Sequence, residues 1–132
     1  MTTLDDDARA LLSRPLYGWA TVARPDGSLH STVVWVDVDE KGLFFNTAVG
    51  RAKERYLQAN PQVSISVLDP TDGFHFVSVA GTAVLDTEGA DAVIDGLAKK
   101  YLGVDSYPYR RADEQRVTVR VEAEKVIYNP GG

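Results

Sequence analysis

Val63, Ile65 and Val67 alternate with Ser64 and Ser66 in "QVSISV". This period of two is the tightest constraint on the chain, because only an extended strand puts every second side chain on one face. The same β character returns in "LYGWATVA", "LHSTVVWVDV", "LFFNTA", "FHFVSVAGTAVL" and "RVTVRVEAEKVIYN", the last alternating at Val117, Val119 and Val121. Pro25-Asp26-Gly27, Asp39-Glu40-Lys41-Gly42 and Asp69-Pro70-Thr71-Asp72-Gly73 interrupt these runs with residues that favour tight turns. Residues 17–24, 29–38 and 43–48 therefore predict an antiparallel meander, followed by a second hairpin and a last strand. The fold class is mainly β with short α-helices: six short antiparallel strands in a small closed or split β-barrel.

Helical signals fill the gaps. In "TLDDDARALLSRP", Thr3 is placed to cap a helix, Asp5 to Asp7 suit its positive end, and Pro15 stops it. Leu4, Ala8, Leu11 and Leu12 form its apolar stripe. Residues 51–59 predict a second helix ended by Asn60-Pro61. Residues 87–102 predict a third, with Val93, Ile94, Leu97 and Tyr101 at helical spacing and Gly103 closing it. "VDSYPYRRADEQ" reads as a loop.

The bulk numbers narrow the function classes. A length of 132 residues fits one domain, 1–132, with no repeat or linker. The net charge of −5 argues against a nucleic-acid surface, which needs clustered excess cations. With no cysteine and two histidines, His30 and His75, neither a thiolate nucleophile nor a metal site is expected. The acidic N-terminus has no signal-peptide pattern, and no apolar run reaches membrane-spanning length. The expected location is cytoplasmic, with no membrane partner.

Against this acidic background, "VGRAKERYLQANP" sets Arg51, Lys53 and Arg55 just after Gly50. A helix start has unpaired N–H groups and a dipole that favours an anion, and Gly50 permits close backbone approach. Within a regular helix Arg51 and Lys53 lie on nearly opposite faces, at about 100° per residue. Both reach one anion only if Arg51 precedes the first turn. Arg51 then offers a planar fork and Lys53 a point charge for a phosphate. The competing reading is a solvated amphipathic helix, with Tyr56 and Leu57 inward and Glu54 offsetting charge.

Other residues also carry two readings. Trp35 suits a core position or a wall for a flat ring. Phe74 and Phe76 share one strand face and suit barrel or interface packing, while His75 points the other way, as a structural residue or a hydrogen-bond donor. Tyr101, Tyr107 and Tyr109, with Arg110 and Arg111, suit a plain surface loop, the mouth of a substrate site or a grip on an acidic cofactor tail. The aromatic load, including Trp19, Trp35, Phe44, Phe45, Phe74 and Phe76, favours self-association. "VSVAGTA" is no nucleophile elbow, and the glycines form no dinucleotide fingerprint.

The order helix, meander, "GRAKERYLQANPQVSISV", hairpin with "VAGTAVL", helix and final strand resembles the pyridoxamine-5′-phosphate-oxidase-like split-barrel superfamily. Within it, "VVWVDVDEKGLFFNTAVGRAKERYLQANPQVSISV", "GFHFVSVAGTAVL" and "KKYLGVDSYPYRRADEQRVTVRVEAEKV" are similar to the deazaflavin (coenzyme F420)-dependent reductase branch. The resemblance covers nearly the whole chain. It implies a homodimer with cofactor sites between subunits, and Arg51 and Lys53 as the pair holding the cofactor phosphate beside Gly50. Asn46, Thr47 and Ala48 would lie beside the ring and ribityl chain, and Thr32, Val33, Val34 and Trp35 would flank the ring. Phe74, His75 and Phe76 match a hairpin that the second subunit brings toward the site.

The implied activity is hydride transfer from reduced F420 to a conjugated small-molecule acceptor. The chemistry is the cofactor's, and the protein supplies binding, orientation and water exclusion; no catalytic residue stands out. The alternatives are an FMN-dependent oxidase or reductase of the pyridoxamine-phosphate-oxidase type, or a non-enzymatic carrier of flavin, deazaflavin or a haem-like ligand. No histidine stands in a haem-ligand context. A single phosphate clamp argues against pyridoxamine phosphate oxidation, where cofactor and substrate each need one. Both FMN and F420 carry a phosphate, so the basic turn does not choose between them.

Overall fold

The computed structural model describes residues 3–132. Among them are strands β1 (Tyr17–Ala23), β2 (Leu29–Asp39), β3 (Gly42–Ala48), β4 (Gln62–Asp69), β5 (Asp72–Asp86) and β6 (Arg116–Pro130). The helices are α1 (Asp6–Leu12), α2 (Ala52–Ala59) and α3 (Ala90–Leu102). The strands close into a barrel in the order β1-β2-β3-β6-β5-β4, with β4 returning to β1, and every pairing is antiparallel. The six-stranded barrel with short helices is the expected one.

The expected period of two decides the inside. Ile65 and Val67 of β4, Val77 and Val79 of β5, and Phe45 of β3 are fully buried in one cluster. Each such side chain contributes about 1.5–3 kcal/mol of transfer free energy. Leu4, Ala8, Leu11 and Leu12 of the α1 segment join the same cluster, so the predicted stripe closes the barrel. The cap of α1 is Asp5, not Thr3: Asp5 Oδ1 accepts from Ala8 N–H at 2.9 Å.

Two strands are not short. β5 and β6 each run 15 residues and stay paired from His75↔Pro130 to Asp86↔Thr118. A register shift at Ala80/Gly81 lets this long ribbon bend. Gly81 is required there, since a Cβ would stand 2.0 Å from the Glu122 carbonyl oxygen.

α3 lies outside the barrel, where Ile94 and Leu97 pack with Phe44. It begins at Ala90, after left-handed Gly89, rather than at residue 87, and left-handed Gly103 ends it as expected. The feature that positions the site is a gap in the ladder. β2 pairs with β3 only from Val36↔Phe45 to Asp39↔Gly42. Beyond that the two strands diverge, and the facing edges of Thr32–Trp35 and Asn46–Ala48 have no ladder partner on that side. Unpaired backbone of this kind calls for another partner.

Candidate functional site

The strand-to-helix turn stands at the open end of this gap. Gly50 has φ +90, a left-handed conformation that a side chain strains. Nothing lies within 4 Å of where its Cβ would be, so the turn, and not a close approach, selects glycine. Arg51 is extended (φ −71, ψ 160) and α2 starts only at Ala52. Arg51 therefore precedes the first turn and Lys53 lies within it, the one arrangement in which both serve the same anion.

The solvated-helix reading holds for Arg55, which is exposed, but not for its neighbours. Glu54 does not offset charge on a wet face. It is 5% exposed, accepts from Gly50 N–H at 2.7 Å through Oε1 and from Gln58 Nε2 at 2.9 Å through Oε2. A carboxylate that reaches back over the helix start in this way fixes the turn. Gly50 N–H is thereby spent on Glu54. Lys53 Nζ donates to Thr32 Oγ1 at 2.9 Å across the gap. Burial, and then the Arg51 charge, lower its pKa below the ordinary lysine value.

A cleft of about 210 Å³ follows the gap, lined by Val33, Val34, Trp35, Asn46, Thr47, Arg51 and Lys53 from the predicted set. Tyr17, Ile94, Leu97, Tyr107, Tyr109 and Arg116 complete it. Thr32 joins it through Lys53. Ala48 and Gly50 line an adjoining hollow with Arg51 and Glu114 instead. The Thr47 hydroxyl is buried and has no hydrogen-bond partner among the described residues.

Trp35 satisfies both of its readings. It stacks on Tyr101 (ring centroids 5.4 Å apart, planes 11° apart) and meets Tyr107 edge-on, yet it also walls the cleft. Tyr101 is no surface-loop residue. Its hydroxyl donates to the Leu16 carbonyl at 2.6 Å and accepts from Val36 N–H at 3.0 Å, and burial pushes its pKa up to about 12. Arg110 pairs with Asp91 and Asp95, and Arg111 with Asp113.

Phe74, His75 and Phe76 do not reach the cleft of their own chain. Phe74 is 72% exposed, so it is not barrel packing, and Phe76 lines a groove with Tyr17, Trp19 and Leu68. His75 lies near Asp69 (3.3 Å) and Tyr128 (3.0 Å) at the end of the long ribbon.

The sequence reading missed Arg116 and Glu114. Arg116 opens the last strand, where its charge looks like ordinary strand-edge solubility. It is 5% exposed, donating from Nε to Asn46 Oδ1 at 2.9 Å and from Nη1 to Glu114 Oε1 at 2.8 Å. Glu114 Oε2 also accepts from Arg51 at 2.7 Å. Burial alone would raise the Glu114 carboxyl, but the hydrogen bonds and charges of the two arginines bring it below its ordinary value. Only the acidic "DEQR" just before the strand hinted at a partner for the basic turn. The site thus joins two phosphate-competent cations, strand edges without a ladder partner and an aromatic wall. That set suits a flat, phosphate-bearing ligand.

Known structures repeat this architecture. A solved structure described as an F420 reductase is 30% identical, covers 94% of this chain and 98% of its own, and superposes with a TM-score of 0.82. A putative pyridoxamine 5′-phosphate oxidase from Listeria innocua (17% identity, 90% and 92% coverage, TM-score 0.71) shares the fold. So does a conserved hypothetical protein from Mycobacterium tuberculosis (22% identity, 94% and 83% coverage, TM-score 0.69). No curated protein matches the chain. The model of the pyridoxamine 5′-phosphate oxidase family matches residues 4–129, so the chain belongs to that family of split-barrel, oxidoreductase-type proteins.

Proposed function

We propose that the protein is an F420-dependent oxidoreductase that passes a hydride from the reduced deazaflavin to a conjugated small-molecule acceptor. The observation that carries this reading is the placement of Arg51 before α2 and Lys53 in its first turn, at the open end of the β2–β3 gap. Reduced F420, when bound, supplies the hydride from a ring carbon.

This chain's residues supply the rest. Arg51 and Lys53 hold the phosphate, and the open edges of Thr32–Trp35 and Asn46–Ala48 give backbone partners along the ring and its chain. Trp35, with Val33, walls off water on one side of the ring. FMN fits the same phosphate clamp, and the likeness to an F420 reductase supports F420 over it.

We propose further that the site is completed in a homodimer. The cleft is smaller than the roughly 300–1,000 Å³ of sites that enclose a drug-sized ligand. Cross-strand neighbours share a sheet face, and the register sets Val33 beside Trp19 and Leu68 beside Phe76, with Tyr17 and Phe74 on the same outer surface. Trp19, Leu68 and Phe74 are 54%, 48% and 72% exposed, an apolar patch of the kind that marks an interface. Light scattering should give twice the chain mass at micromolar concentration; a stable monomer would remove the shared site. The activity is tested by mixing the protein with reduced F420 and a panel of conjugated acceptors and following F420 oxidation. Stoichiometric FMN that co-purifies and resists displacement by F420 would turn the reading toward an FMN enzyme.

A further inference from the structure

We infer that Arg116 is a specificity-determining residue that docks an anionic oxygen of the substrate, making the acceptor a planar conjugated acid. The inference rests on the proposed reading of the cleft for the place of the cofactor, but its own evidence is the geometry of one guanidinium.

Arg116 is clamped on three sides. Nε is held by Asn46 Oδ1, whose amide is oriented in turn by donating from Nδ2 to the Ala90 carbonyl at 2.9 Å. Nη1 is held by Glu114, and Tyr107 stacks with its ring centroid 5.1 Å from Cζ. Nη2 has no acceptor among the described residues. Pinning the 103–115 segment to β3 uses Nε and Nη1 alone, so that role leaves the Nη2 edge unexplained. Preorganised planar donors of this kind select carboxylates.

The charge balance agrees. Among the described residues the cleft is lined by Arg51, Lys53 and Arg116 and by no carboxylate; Glu114 lies in the adjoining hollow and is shared by Arg51 and Arg116. A phosphate on Arg51 and Lys53 leaves Arg116 for a second anion. Beside it stand Trp35, Ile94 and Leu97, an apolar surface for a flat conjugated body, where reduced dielectric strengthens the ion contact.

The test is calorimetric titration of F420-saturated protein with cinnamate and with cinnamamide, which differ in charge but hardly in shape. The acid should bind at least about tenfold more tightly, which is the scale of one charge-assisted contact. The preference should fall to within about twofold in Arg116→Gln, with folding checked by circular dichroism. Asn46→Asp, which keeps Arg116 but sets a carboxylate against it, should also reduce the preference, and it serves if Arg116→Gln does not fold. Repeating the titration on cofactor-free Lys53→Ala separates the two proposals: an acid preference there that disappears when Arg116→Gln is added supports the Arg116 subsite even if F420 never binds. Equal binding of acid and amide by the wild type would overturn the inference. So would displacement of cinnamate by F420, which would assign Arg116 to the cofactor's own anion site.

Discussion

Lys53 donates a 2.9 Å hydrogen bond to Thr32 Oγ1 and so joins the first turn of α2 to the open edge of β2. One cation on α2 thus reaches the β2 wall of the gap, and burial already lowers its pKa. On the proposed reading, a cofactor phosphate would give Lys53 a charge-assisted partner in place of a neutral hydroxyl.

Lys53→Ala should therefore weaken cofactor binding with little loss of fold. The expected cost is about 1.5–3 kcal/mol, or roughly tenfold to more than a hundredfold in affinity. Exposed Arg55→Ala is the control; Glu54→Ala is unsuitable, because the buried Glu54 carboxylate fixes the Gly50 turn. Titrations at two salt concentrations should show the wild-type advantage shrinking as ions screen the phosphate.

Glu114→Gln should act in the opposite direction. Glu114 occupies Arg51 with a carboxylate at 2.7 Å, so a phosphate must compete with it. Arg51 is about half exposed, so the ion pair itself adds little stability. Removing the charge should tighten F420 binding several-fold and lower the melting temperature clearly, because the buried Arg116 loses its charge partner. Weaker binding would mean that Glu114 positions Arg51 for the phosphate.

These two residues show what the sequence disclosed. Alternation in β4 and β6 and the turns at 25–27, 39–42 and 69–73 locate the barrel, because burial of one strand face is a local pattern. The Arg51–Lys53 pair was legible for the same reason: a cation cluster at a glycine turn is contiguous in the chain. Arg116 and Glu114 were not, since they face Asn46 and Arg51 only after β3 and β6 pair, 70 and 63 residues apart. Glu54 was misread because nothing local tells a solvated carboxylate from one that turns back onto Gly50. Phe74 and Phe76 followed their predicted strand face, but which face the barrel buries is decided by closure and not by the run itself.

The two glycines that shape this frame should fail in different ways. Gly50→Ala forces a Cβ into a left-handed turn and should cost about 1–2 kcal/mol, with anion binding weakened as the Arg51 backbone shifts. Gly81→Ala meets the Glu122 carbonyl at 2.0 Å and should destabilise far more while leaving the cleft residues untouched. Chemical denaturation of both variants checks the order.

Acid sensitivity should trace to Asp69. The Thr71 backbone and hydroxyl, then Arg14, then His75, hold its carboxyl well below the ordinary value of 3.8. A depressed carboxylate stabilises the fold fully above its unfolded value and loses that contribution as the pH falls below it. Asp69→Asn should therefore melt earlier than wild type at pH 7, and the gap should narrow as the pH falls below about 3.8 toward the folded value. A gap that stays constant between pH 7 and pH 3 would assign the difference to lost hydrogen bonds rather than to charge.

On the proposed reading, the Arg51–Lys53 turn clamps a deazaflavin phosphate beside Trp35. Titration of the wild type and Lys53→Ala with F420 and with FMN, followed by tryptophan fluorescence, tests it most directly because Trp35 walls the cleft. F420 should quench the fluorescence saturably, FMN should bind more weakly, and Lys53→Ala should lose at least about tenfold in F420 affinity. Equal F420 affinity in the two proteins, or no binding of F420 to the wild type, would contradict it.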